Sequence, residues 1–193
     1  TSGLAAMSIS GHKLGAPIGV GALIVSRNQK PISLIHGGGQ ERGLRSGTMN
    51  YPHAMSLAKA AELAVADMVE REARLEALRD KLEAEVLTQI PQAIKTISGP
   101  RIGHTASFVF PCVQSDSLLF LLDQKGISVS AGSACQAGIL SASHVLLAMG
   151  YDQADASAVI RVTLGHTTQA ADIELFTSAI AEVYSTALRA GLN

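Results

Sequence analysis

Residues 4 to 25 read LAAMSISGHKLGAPIGVGALIV. Two short apolar runs, 4 to 10 and 20 to 25, are bounded by glycine and proline, the pattern of two buried strands around a Gly-rich turn. Lys13 sits in that turn. A free lysine ammonium has a pKa of about 10.4 and is a poor nucleophile, so covalent work requires a place that withdraws it from bulk water. A strand-to-loop turn is such a place. Ser10 and His12 offer hydrogen bonds to a phosphate, and the glycines let the backbone approach a ligand closely. A His-Lys dipeptide alone reads as an exposed lysine in an ordinary turn. The twelve-residue pattern SGHKLGAPIGVG, 10 to 21, points instead to a built site.

The stretch HGGGQERGLRSGT, 36 to 48, is too glycine-rich and polar for a regular element and reads as a shaped loop. Its arginines and closing Ser-Gly-Thr suit an anionic group, with phosphate the natural candidate. Arg42 and Arg45 serve equally well as partners of neighbouring carboxylates, and Thr48 is the better ligand contact. From Pro52 to about Leu87 the chain is rich in Ala, Leu, Glu and Arg, with Leu75, Leu78, Leu82 and Val86 at helical spacing, so one long helix, straight or kinked, is expected. Glu70 and Arg74, at i and i+4, read as part of its solvated face. Pro91 marks a boundary.

Beyond it strand and helix patterns alternate. Strands are expected at 94 to 98, 107 to 110, 127 to 130 and 158 to 164, and helices at about 115 to 125, 141 to 149 and 170 to 189. Gly126 is placed to end the first of these helices. The last shows Ile173, Phe176, Ile180, Val183 and Ala187 on one stripe. Layer rules turn this pattern into a mixed-sheet α/β or α+β domain of about 100 residues.

Two residues of this second part carry chemistry. Cys135 lies in SVSAGSACQAG, 128 to 138, among Ser, Ala and Gly, and reads as an accessible thiol on a mobile loop and a candidate nucleophile. Cys112, inside FVFPCV, reads as a packing residue. Arg161 stands in the apolar run AVIRVTLG, 158 to 165. An unpaired buried guanidinium is costly, so it should meet a carboxylate, either the protein's own or that of an amino-acid substrate. His36, His53, His104, His144 and His166 lack metal-ligand spacing, so no metal site is expected.

Composition narrows the classes. Among 193 residues, 15 Lys+Arg against 16 Asp+Glu give a formal charge of -1, which does not favour nucleic acid or an anionic membrane surface. Hydrophobic residues make up 47% of the chain, but no apolar run reaches the roughly 18 residues of a membrane-spanning helix. Two cysteines are too few for a secreted disulfide framework, so a reducing, cytoplasmic setting is expected. The start, TSGLAAMSISGHK, has no targeting pattern and reads as a chain entered midway.

Taken in order, the segments SGHKLGAPIGVG, GGGQERGLRSGT, SAGSAC and AVIRVTLG resemble the C-terminal part of the pyridoxal-phosphate-dependent cysteine desulfurases, and the resemblance spans nearly the whole chain. It implies a fold-type-I transferase: residues 1 to 50 as the end of the large cofactor-binding domain, 51 to 90 as a connecting helix, and 91 to 193 as the small C-terminal α/β domain. The full-length protein would be a homodimer that takes sulfur from L-cysteine, leaving L-alanine and a persulfide on Cys135. That sulfur would pass to an acceptor or scaffold protein, as in iron–sulfur cluster assembly or transfer-RNA thiolation. By the same resemblance Lys13 would hold the cofactor covalently and move the Cα proton. Ser10 and His12 would bind its phosphate, Thr48 would reach the neighbouring subunit's cofactor, and Arg161 would orient the substrate carboxylate.

The motifs that the family places before this segment are absent here, among them the aspartate that pairs with the pyridine nitrogen. The 193 residues are therefore expected to be inactive alone. Two other readings stand beside this one: a related fold-type-I aminotransferase, which has no use for Cys135, and a non-catalytic domain that only dimerises or binds a partner.

Overall fold

In the computed structural model the opening pattern forms an antiparallel pair, β1 (Ala6–Ser10) and β2 (Gly21–Val25), with Ala6 opposite Val25 and Ser10 opposite Gly21. The structure describes residues 3–132 and 142–191. It divides into two units, Thr1–Met68 and Val69–Asn193.

The first unit corrects one expectation. The two strands are not buried: Leu23 is 63% and Ile24 51% exposed. Consecutive side chains point to opposite faces of a strand, so both faces of this ribbon are bare. Among the described residues of the unit only Gly11, Ala16 and Ser46 are buried. Two strands cannot cover each other, because a sheet buries apolar side chains only against a further layer. The helical stretch expected over 52 to 87 is interrupted at Asp67, which divides it into α1 (Tyr51–Ala66) and α2 (Met68–Gln89). The start of α1 is fixed by Asn50, whose Oδ1 accepts from the His53 amide at 3.3 Å.

The second unit is built on a four-stranded sheet, in the order β3 (Ile94–Lys95), β4 (Thr105–Val109), β6 (Val159–Thr163) and β5 (Ser130–Ala131). Every neighbouring pair is antiparallel, so the sheet is not mixed and the unit is of the α+β kind. The connection from β4 through α3 (Ser115–Asp123) to β5 leaves room for β6 between them, a split β-α-β arrangement. One sheet face presents Ala106, Phe108, Ile160 and Val162 to Leu82 and Val86 of α2, Leu118 and Leu122 of α3, and Ile173 and Ile180 of α6 (Ala170–Ala190). A smaller apolar cluster, Val109, Val159, Ala142, Leu146, Ala156 and Ala158, covers one end of the other face. It includes residues of α4 (His144–Ala148) and of α5 (Gln153–Ser157), a helix the sequence pattern did not reveal. A single turn is too short for periodicity; its signal is the cap, where Asp152 Oδ1 accepts from the Asp155 amide at 2.8 Å.

The charges of α2 are not simply a solvated face. Arg74 donates to the carbonyls of Thr168 at 2.7 Å and His166 at 3.0 Å, holding the turn that follows β6. Arg79, 3% exposed, is met by Asp80, Glu76 and the Ile102 carbonyl. Glu83, 5% exposed, lies between Arg101 at 2.6 Å and Lys95 at 3.2 Å. A buried charge persists only when so compensated.

Cys112 also departs from expectation: it is exposed rather than packed. After Pro111 the chain takes a left-handed conformation at Cys112, φ 64°, which turns the thiol outward while Phe110 and Val113 point into the core. Tyr184 steadies this turn by donating to the Pro111 carbonyl at 2.8 Å. A Cβ in that region costs about 1 kcal/mol. Cys112→Gly is therefore expected to stabilise the protein by about 1 kcal/mol in urea unfolding, whereas Cys112→Ala changes little. Equal midpoints for both variants would show that the turn holds no strain.

Candidate functional site

Lys13 lies on a single 3-10 turn, Gly11–Leu14, that follows β1 directly. The turn is closed by Gly15, whose φ of 90° suits glycine and whose N–H bonds back to the Gly11 carbonyl. Gly11 is required by close approach: a Cβ there would lie 2.7 Å from the Val20 carbonyl oxygen. Ser10 Oγ and His12 Nδ1 are 3.1 Å apart, so the two side chains act as one hydrogen-bonded pair. Ser10, His12 and Lys13 are all exposed. Residues 1–40 contain Lys13, Arg27 and Lys30 and no aspartate or glutamate. A group of hydroxyl, imidazole and ammonium with no carboxylate of its own segment to neutralise it is suited to an anion.

The loop 36–48 is tied by its own side chains. Gly39 N–H donates to Ser46 Oγ at 3.3 Å, and Gly47 N–H donates to Gln40 Oε1 at 3.0 Å. Arg45 Nη1 donates to the carbonyls of Gly47 at 3.1 Å and Thr48 at 3.4 Å. Of the two roles open to Arg45, carboxylate partner or ligand contact, the geometry shows neither; it braces the Ser-Gly-Thr backbone. Gln40 and the buried Ser46 are structural parts of this loop that residue type alone did not single out. Glu41, Arg42 and Gly43 have φ of 48°, 59° and 78°, a left-handed run that is unfavourable for side chains with a Cβ. Such strain is held by surrounding contacts and is concentrated at functional loops. Thr48 is exposed at the loop's end.

Arg161 occupies the middle of β6 on the sheet face opposite the main core, with Val159 and Thr163. It is half-buried, and no carboxylate pairs with it among the described residues. The remaining stretch 133–141, SACQAGILS, contains no Asp or Glu.

The structure thus brings Ser10, His12 and Lys13 together on one turn. Thr48 lies on a second loop of the same unit, and Arg161 belongs to the other unit. Cys135 lies outside the described residues.

A lysine on a Gly-rich turn beside a hydrogen-bonded serine–histidine pair, followed by an α+β unit, is an arrangement suited to a phosphorylated ligand. Residues 2–176 match the family model of class-V aminotransferases, and the chain belongs to that family. Its curated relatives include an IscS-like cysteine desulfurase of Mycobacterium tuberculosis, 45% identical over 99% of this chain and 49% of the relative. Another is the cysteine desulfurase NifS of Azotobacter vinelandii, 40% identical over 87% of the chain and 42% of the relative. Among solved structures, a NifS-like protein from Rickettsia africae superposes with a TM-score of 0.85 at 33% identity, over 95% of this chain and 48% of that one. The chain therefore spans about half the length of the relatives it matches.

The family depends on pyridoxal phosphate. The acid-free segment 1–40 and the Ser10–His12 pair beside Lys13 fit a phosphorylated aldehyde, since they combine an amine with uncompensated donors. The backbone at Gly11 is what holds them together. Gly11→Ala in the full-length protein is expected to weaken pyridoxal phosphate binding by about tenfold in a spectrophotometric titration. Gly99→Ala, where a Cβ meets open space, serves as the neutral control. Equal affinities for the two variants would contradict the role given to the close approach.

Proposed function

We propose that the full-length protein is a cysteine desulfurase, and that these residues supply its lysine, part of its phosphate site, its carboxylate-binding arginine and its sulfur-accepting cysteine. The observation that carries this reading is Arg161: a half-buried arginine on the sheet face away from the main core, without a carboxylate partner among the described residues. An amino-acid substrate supplies the missing carboxylate, and a guanidinium fork takes it bidentately.

Pyridoxal phosphate, when bound, supplies an electron sink for the negative charge that develops at the substrate Cα. Ser10 and His12 bind its phosphate, and Thr48 adds a hydroxyl to the same group in the neighbouring subunit. Lys13 would hold the cofactor, and its Nζ would take the proton from the substrate Cα and return one to carbon. Cys135, as thiolate, attacks the substrate sulfur. The Cβ–S bond breaks as the S–S bond forms, so sulfur is oxidised to the persulfide level and Cβ is reduced to the methyl of alanine. The persulfide then passes to an acceptor protein, in a cytoplasmic setting that keeps Cys135 reduced.

A homodimer and a complete large domain agree with the exposure of the first unit. Leu23, Ile24, Ile32 and Leu34, all at least half exposed, are apolar side chains that a complete assembly covers. In the same reading 1–50 belongs to the large domain, 51–90 connects, and 91–193 belongs to the small domain.

In the full-length protein, Cys135→Ser is expected to lower alanine formation from L-cysteine by at least about a hundredfold. Lys13→Ala should abolish both the cofactor's near-visible band and turnover. Unimpaired turnover by the Cys135 variant, with amino transfer, would indicate the related aminotransferase; absence of any cofactor band in the unaltered protein would indicate a binding domain. The 193 residues alone are expected to form no alanine from L-cysteine in the presence of pyridoxal phosphate. Measured turnover by them would refute the need for the remaining half.

A further inference from the structure

On the sheet face that carries Arg161, the two residues directly opposite it are serines. Register pairs Arg161 with Ser107 on β4 and with Ser130 on β5. Cross-strand partners share a face and stand about 5 Å apart at Cβ. The three residues therefore form one row across the sheet, Ser130, Arg161, Ser107. All three are half-buried. Among the described residues neither serine hydroxyl has a hydrogen-bond partner; the Ser107 carbonyl accepts from Thr96.

This face changes character along its length. At one end Val109 and Val159 are covered by the small apolar cluster. At the other, Thr105 pairs with Thr163. The row between them thus lies where the covering cluster stops and polar side chains begin. Directly opposite residues stand close enough across the strands for a side chain as long as that of Arg161 to reach either flanking hydroxyl.

A carboxylate has two oxygens and about four lone-pair positions. A guanidinium fork fills two of them, one on each oxygen. The other two need donors if the group is withdrawn from water, because an unsatisfied buried acceptor is costly. Serine supplies one donor each, and a hydroxyl bonded to a charged acceptor contributes more than one bonded to a neutral group. Alanine would satisfy the strand geometry equally well but leave those positions empty.

We propose that Ser107 and Ser130 are substrate-binding residues that complete the carboxylate site around Arg161, and that they help set the preference for α-amino acids over amines without a carboxylate. The inference rests on the reading of Arg161 as the carboxylate-binding residue.

The test uses the full-length protein loaded with pyridoxal phosphate. Two cofactor-directed amines of similar reactivity are compared: aminooxyacetate, which carries a carboxylate, and O-methylhydroxylamine, which does not. Their second-order rate constants for capturing the cofactor are read from the near-visible band. Ser107→Ala and Ser130→Ala are each expected to slow aminooxyacetate about fivefold to tenfold and to leave O-methylhydroxylamine unchanged. KM for L-cysteine should rise to the same degree, with kcat changing less. Ser107→Thr, which restores the hydroxyl, should recover the aminooxyacetate rate. Equal slowing of both amines would mean a structural role and would overturn the proposal. If Arg161→Gln slows aminooxyacetate selectively and neither serine variant does, the serines are excluded while Arg161 keeps its role. If Arg161→Gln is also without selective effect, the carboxylate site is elsewhere and both readings fall.

Discussion

The antiparallel pairing of β4 with β6 is the constraint on which the second unit depends. Its register, Thr105 to Thr163 through Val109 to Val159, places every second residue of each strand against the main core. Phe108 and Ile160 are fully buried by it, and Arg161, one residue along, is carried to the opposite face. A slip of one residue would exchange the two faces, driving the guanidinium into an apolar core at a cost no neighbouring carboxylate could offset. Core packing and presentation of the arginine are thus one interaction seen from two sides.

Around that sheet, α2 acts as both core element and clamp. Leu75, Leu82 and Val86 enter the core, while Arg79 and Glu83 are buried in a charge network that reaches Lys95 and the segment near Arg101 and Ile102. Arg74 of the same helix secures the carbonyls just beyond β6. The strand carrying Arg161 is held laterally by its neighbours and at its end by this contact. A site residue on a strand supported in this way keeps its position better than one on an isolated loop.

The first unit is organised differently. Its lysine turn depends on close backbone approach at Gly11 and a left-handed Gly15, and its loop 36–48 on bonds from Gln40, Ser46 and Arg45 to nearby backbone. Local ties determine these shapes, whereas the apolar faces of β1 and β2 remain bare. The chain spans about half the length of the curated relatives it matches. Turns closed by glycine and short-range hydrogen bonds do not need a distant partner; a sheet does.

Much of this was legible in the residues themselves. The stripe Ile173, Phe176, Ile180, Val183 and Ala187 is buried along α6 as its spacing indicates, because an amphipathic helix has one way to hide its apolar side. The family was legible too, since its motifs are short, ordered and chemically constrained. Tertiary structure decided what depends on partners distant in the chain. It made the sheet antiparallel throughout, exposed Cys112, buried Arg79 and Glu83, and set Ser107 and Ser130 on either side of Arg161. Spacing along a chain reports which side a residue faces within its own element; which side chains then stand beside it is determined only when strands separated by dozens of residues choose a register.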